Sequence, residues 1–152
     1  MRDLLDTGPE LAEGEVAALE QRLGAALPSD YRSFLLASNG GVPEPNCVDV
    51  PGHPEAPTDL QEFFGITQTV ETSNIEWHLD VLTERLEKAQ VPIACDSGGN
   101  TFCISVRPGD RGQIVYLDLQ RVAGDYGAAP EAYPVAQSFT EFLGKLTDFD
   151  EA

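Results

Sequence analysis

Long apolar runs, clustered basic residues and metal-type cysteine spacings are all missing from this chain of 152 residues. Without a run of about 18 apolar residues, no helix is expected to cross a bilayer. The first residues, Met1-Arg2-Asp3-Leu4-Leu5-Asp6, lack a basic segment followed by a long apolar one, so no signal peptide is expected and a cytoplasmic location is the default. Only 9 Lys and Arg stand against 26 Asp and Glu, a net charge of −17. A phosphate backbone is held by clustered cations, so neither nucleic acid nor an anionic membrane is an expected partner. The three cysteines, Cys47, Cys95 and Cys103, form no Cys-x-x-Cys motif. That speaks against a zinc ribbon or a thioredoxin-type centre and favours reduced thiols. No Gly-x-Ser-x-Gly elbow and no Ser, His and Asp set is readable, so no catalytic residue, cofactor or enzyme activity is expected.

What is present is a hydrophobic fraction of 41%, enough for a core, in a length that suits one domain. The acidic balance would attract a basic protein and speed its encounter; it would equally serve solubility. Residues 1–12 read as a loosely held arm. Val16, Leu19 and Leu23 recur at helical spacing from Glu13 onward, with Gly24 as a weak point. A second helix opens at Leu27-Pro28-Ser29-Asp30, where proline fits a first turn and Asp30 suits the positive end. Tyr31, Phe34 and Leu35 form its buried face, and Asn39-Gly40-Gly41 stops it. Five prolines stiffen residues 42–62, with a short strand at Cys47–Val50, and Leu60 to Ile66 reads as another strand. A third helix is expected over Asn74–Lys88 and a last one over Ser138–Thr147, where Ser138 and Glu141 make a capping box. Asp148-Phe149-Asp150-Glu151 is a short acidic tail.

Between these helices lies a strand meander. If Ser97-Gly98-Gly99-Asn100 and Gly109-Asp110-Arg111-Gly112 are four-residue loops, Cys95 faces Phe102 and Ile104 faces Leu117. Val91, Ile93, Cys95, Phe102, Ile104, Val106, Val115, Leu117 and Leu119 then share a core face. The other face carries Ala94, Asp96, Thr101, Cys103, Ser105, Ile114, Tyr116 and Asp118. It reads either as a half-solvated sheet face or as a binding surface anchored by Tyr116. In this register Cys95 and Cys103 point apart and cannot bond. A Gly98-Gly99-Asn100 phosphate loop lacks its Lys and following helix, so a hairpin turn explains it better. Cys47, Asp49 and His53 could offer three metal ligands, but their spacing matches no standard motif and no metal is expected. His78 reads as a surface residue. Trp77 sits about 200° round its helix from Ile75, leaving it either partly exposed beside Glu76 and Asp80 or folded on the proline-rich loop. The candidate partner-binding residues are thus Asp96, Thr101, Ser105, Tyr116 and Asp118 on the sheet and Glu76, Trp77 and Asp80 on the third helix.

Two segments taken together resemble a known family. They are Leu27-Pro28-Ser29-Asp30-Tyr31, running to Asn39-Gly40-Gly41, and Val91-Pro92-Ile93-Ala94-Cys95-Asp96-Ser97-Gly98-Gly99-Asn100. With Phe63-Phe64-Gly65-Ile66 between them and Ser138-Phe139-Thr140-Glu141-Phe142-Leu143 after, the order is similar to the SUKH superfamily over roughly residues 10–147. That superfamily includes a fungal cell-wall-assembly regulator and many bacterial immunity proteins. The resemblance implies a single α+β domain: a central, largely antiparallel sheet with flanking helices. It implies a non-enzymatic protein that binds and neutralises a cognate toxin, often a nuclease, or, alternatively, an intracellular regulatory or scaffolding module. Leu27, Pro28, Tyr31, Gly40, Gly41, Gly65, Pro92, Gly98 and Gly99 carry over as structural positions. Toxin-contacting residues vary in such families and none carries over. The charge adds that the partner is basic, and a monomer or weak dimer is expected.

Overall fold

A computed structural model describes residues 3–120 and 130–149. Its centre is a five-stranded antiparallel sheet in the order β5 (Glu62–Phe63), β6 (Gln90–Cys95), β7 (Thr101–Ser105), β8 (Ile114–Asp118) and β9 (Glu131–Ala136). Two small antiparallel pairs flank it: β1 (Asp3–Leu5) with β2 (Val42–Glu44), and β3 (Cys47–Val48) with β4 (Thr58–Asp59). The helices are α1 (Glu13–Leu23), α2 (Ser29–Ser38), α3 (Ile75–Val81) and α4 (Phe139–Gly144). This is the expected α+β arrangement.

The helix ends follow local chemistry. Gly24 closes α1 with φ 72°, and its N–H bonds the carbonyls of Gln21 and Glu20. Asn39 closes α2 in the left-handed region, and Gly40 follows at φ 87°. A Cβ on Gly40 would lie 2.8 Å from the Phe63 carbonyl oxygen, so the motif's glycine is required by a close backbone approach. Asn39 then ties three segments together. Its Nδ2 donates to the carbonyls of Pro9 and Ile66, and its Oδ1 accepts from Ile66 N–H. At α4, Ser138 Oγ accepts from Glu141 N–H as the capping box requires. Glu141 reaches back to Gln137 N–H, one residue before the cap. Three of these elements are shorter than expected: α3 stops at Val81, α4 at Gly144, and β5 holds only Glu62–Phe63.

The amino-terminal arm is held rather than loose. Asp3–Leu5 pairs with Val42–Glu44, Gly8 N–H bonds Ser38 O, and Leu11 is buried. Asp150 and Glu151 of the acidic tail lie outside the described residues.

Both expected hairpin registers are corrected. Cys95 pairs with Thr101 and Ala94 with Phe102, while a bulge at Ile93 brings Val91 opposite Ile104. In the next hairpin Phe102 faces Tyr116 and Ile104 faces Ile114. Phe63, Ala94, Phe102, Ile104, Ile114 and Tyr116 therefore share one face. Glu62, Cys95, Thr101, Cys103 and Leu117 share the other. Neither face is solvated at the centre: every residue of β7 is buried.

The first face is closed by α2, α4 and the proline-rich loop. Phe139 is the hub, with ring centroids 5.0 Å from Tyr31, 4.9 Å from Phe34 and 5.8 Å from Phe63. Phe142 continues the cluster to Phe102 at 5.4 Å. Edge-on aromatic pairs of this kind add about 0.5–1.5 kcal/mol each beyond the area they bury. The second face is covered by α3 and the residue after it, where Ile75 and Leu82 are buried and His78 stacks on Phe64 at 3.8 Å.

Candidate protein-binding groove

The covering of the second face is incomplete. Between α3 and the β6–β7 turn opens a cavity of about 370 Å³. Its walls include Trp77, His78 and Val81 of α3, Phe64 and Glu62 at β5, and Cys95 and Thr101 of the sheet. Ser97, Gly99 and Asn100 form its rim. Glu62 and Phe64, two residues apart in an extended segment, point the same way, which puts a carboxylate beside an aromatic wall.

The turn that makes the rim is built on Asp96. This buried carboxylate accepts from Gly98 N–H at 3.0 Å and Asn100 N–H at 2.8 Å through Oδ1. Its Oδ2 accepts from Tyr116 OH at 2.6 Å and Thr58 Oγ1 at 2.9 Å. Asn100 in turn accepts Leu119 N–H at 2.9 Å. Burial, and then the bond to Asp96, raise the Tyr116 hydroxyl above its ordinary range. Gly98-Gly99-Asn100 is thus a side-chain-stapled turn.

On α3, His78 Nε2 lies 2.8 Å from the Thr72 carbonyl, so Nε2 carries the proton. Burial lowers the His78 pKa, and the Thr72 bond opposes that only in part. His78 is therefore not the surface residue expected but half-buried, edge-on to Trp77 at 4.9 Å. Trp77 is itself half-buried against the groove, not folded on the proline-rich loop. Burial raises the Glu62 pKa, and the Ser73 hydroxyl, 3.0 Å from Oε2, offsets it only partly. Cys95, on the groove wall, is pushed up to about 12 chiefly by burial. Buried Cys103 is raised for the same reason.

Of the residues expected to meet a partner, Trp77, Asp96 and Thr101 line this groove. Glu76 and Asp80 are exposed on the same helix, and Asp80 pairs with Arg22. The half-solvated sheet face does not exist. Asp96, Thr101, Ser105, Tyr116 and Asp118 are all buried, at most 5% exposed. Ser105 bonds Asp110 and Arg107 N–H. Asp118 receives His53 Nε2 at 2.7 Å. His53 accepts Glu55 N–H on Nδ1, so its ring pins the proline-rich loop over Tyr116 and Tyr133, and the Cys47, Asp49, His53 grouping does not assemble. Among the described residues no three His, Cys, Asp or Glu side chains are placed to hold a metal. Cys95 and Cys103 share a face after all, since Cys95 sits opposite Thr101, and neither is in a disulfide. The groove residue missed in the sequence is Glu62; its alternation with Phe63 was the available signal.

These features define a mixed α+β fold in which an antiparallel sheet is clad on both faces and one face keeps an open, acid-walled groove. The chain belongs to the SMI1 / KNR4 family (SUKH-1), whose model matches residues 10–145. That family includes immunity proteins, which bind protein toxins. A relative is the SPbeta prophage-derived uncharacterized protein YokK of Bacillus subtilis (strain 168), 26% identical over 160 residues that span 95% of this chain and 76% of that protein. No helix among the described residues is long and apolar enough to cross a membrane.

Proposed function

We propose that this protein is a non-catalytic immunity protein that neutralises a basic protein toxin by binding it along the α3 edge and its groove. The observation that carries the reading is the groove. It sets a half-buried Trp77, the kind of side chain that anchors interfaces, in one lining with Glu62, while exposed Glu76 precedes it on α3. The family supplies the class, and the net charge of −17 supplies the sign of the partner. Such a surface steers a cationic protein into contact and then holds it through a desolvated aromatic anchor. The buried sheet residues serve by fixing the rim and the strands beneath it.

The test is protection followed by kinetics. Candidate toxins from the same genome are expressed with and without this chain. Restored growth and a stoichiometric complex support the proposal. The association rate should fall about tenfold or more as salt rises from low to physiological strength and beyond. Weak binding to several unrelated proteins, with no protection, would move the protein to the regulatory-module reading.

A further inference from the structure

We infer that the groove receives one cationic side chain, an Arg or Lys of the partner, stacked on Trp77 and paired with Glu62. The inference rests on the binding role proposed above and names the chemistry that role uses. A space of about 370 Å³ is at the small end of pockets that take compact ligands, so it suits a side chain better than a whole strand or helix. One wall is the Trp77 indole, the best aromatic partner for a cation. Another is the Glu62 carboxylate, which accepts only a Ser73 hydroxyl and belongs to none of the ion pairs among the described residues. A half-buried carboxylate without a counter-charge is a stabilisation left for a ligand to supply. None of the described lining residues is Lys or Arg. Arg85 reaches the backbone carbonyl of Leu119 but is not among the groove's lining residues. His78, the one base in the wall, donates to Thr72 and stays neutral at pH 7 because burial lowers its pKa. The other acid in the wall, Asp96, already has its oxygens filled by internal donors.

Trp77 is the sole tryptophan, so its emission reads the groove directly. The probe is acetyl-Gly-Arg-Gly-amide, titrated into the intact protein beside its Lys counterpart and the same peptide with neutral citrulline. Saturable changes with Arg and Lys, absent with citrulline, are expected. Glu62→Gln should weaken the Arg response about tenfold, and Glu55→Gln, on the loop over the opposite face, should leave it unchanged. Equal responses to citrulline and Arg, an unaltered Glu62→Gln titration, or no saturable response below about 10 mM would overturn the inference. Protection from a toxin is scored separately. Protection without a peptide response removes only this inference, and a peptide response without protection removes only the immunity role.

Discussion

On the face that carries Phe102 and Tyr116, the sheet is sealed by interlocking rings, with Phe139 between α2, α4 and β5. On the opposite face α3 is short, its last residue Val81 is 57% exposed, and the groove stays open beside Trp77. The two faces differ in closure: on the first the aromatic side chains pack on each other, and on the second Trp77 and Val81 border an open groove, the place where the proposed partner would bind. The same strands underlie both, so changes in the ring cluster test stability and changes at the groove walls on α3 and β5 test binding.

The largest break should come from the sealed side. Phe139→Ala empties the ring cluster and should cost about 3–5 kcal/mol, read as a drop in the urea midpoint. Next is Asp96→Ala at the turn between the faces. It leaves Tyr116 OH, Thr58 Oγ1 and two backbone N–H groups without their acceptor, for about 2–4 kcal/mol and a disordered groove rim. Trp77→Ala should reverse the pattern, with a loss of about 1 kcal/mol or less in stability but at least tenfold in toxin affinity by calorimetry. The smallest effect has the opposite sign. Glu62→Gln should raise Tm by ~1–2 °C at neutral pH, since functional sites often hold groups that the fold alone would not choose. The folded-state pKa of Glu62 is raised, so its contribution to stability is fully present below the unfolded value of 4.5 and lost as pH rises through the folded value. The gain from Glu62→Gln should therefore vanish in thermal melts at about pH 3 and grow toward neutrality. His78 runs the other way. Its depressed pKa gives stability present above the ordinary imidazole value of 6.5 and lost as pH falls through the folded value.

Helix starts and the stop of α2 were legible because each rests on a residue with one local job: Pro28 and Asp30 at a start, Asn39 and Gly40 at a stop, Ser138 as a cap; the stops of α3 and α4, which came earlier than expected, have no such marker. The strand register was not, and the reason is physical. Alternation specifies register only where one face is wet. Here Thr101, Cys103 and Ser105 are small, polar or sulfur-bearing, yet buried, so both faces read as plausible cores. The Asp96 side chain also lengthens its turn by one residue, and the bulge at Ile93 shifts the strand again. β9 escaped notice because Pro134 interrupts it, which is tolerable only because it lies on the sheet edge. Among the candidate site residues, helix geometry gave the part-exposed position of Trp77, which lines the groove, while Glu76 and Asp80 lie outside its lining. Of the sheet set, Asp96 and Thr101 line the groove, and Ser105, Tyr116 and Asp118 are buried away from it.

The sealed face is completed late in biosynthesis. Phe139 and Phe142 are supplied by the last helix, and Thr140 of that helix bonds Asp30 while Thr147 bridges Cys47, spans of 110 residues in the first case and a comparable one in the second. A nascent chain emerging from the ribosome would hold α1, α2 and most of the sheet for several seconds with the aromatic cluster unfilled, at ~5–20 residues per second. Until α4 clears the exit tunnel, the apolar side of the sheet is a substrate for chaperones and proteases, and translation pauses in that interval lengthen the exposure.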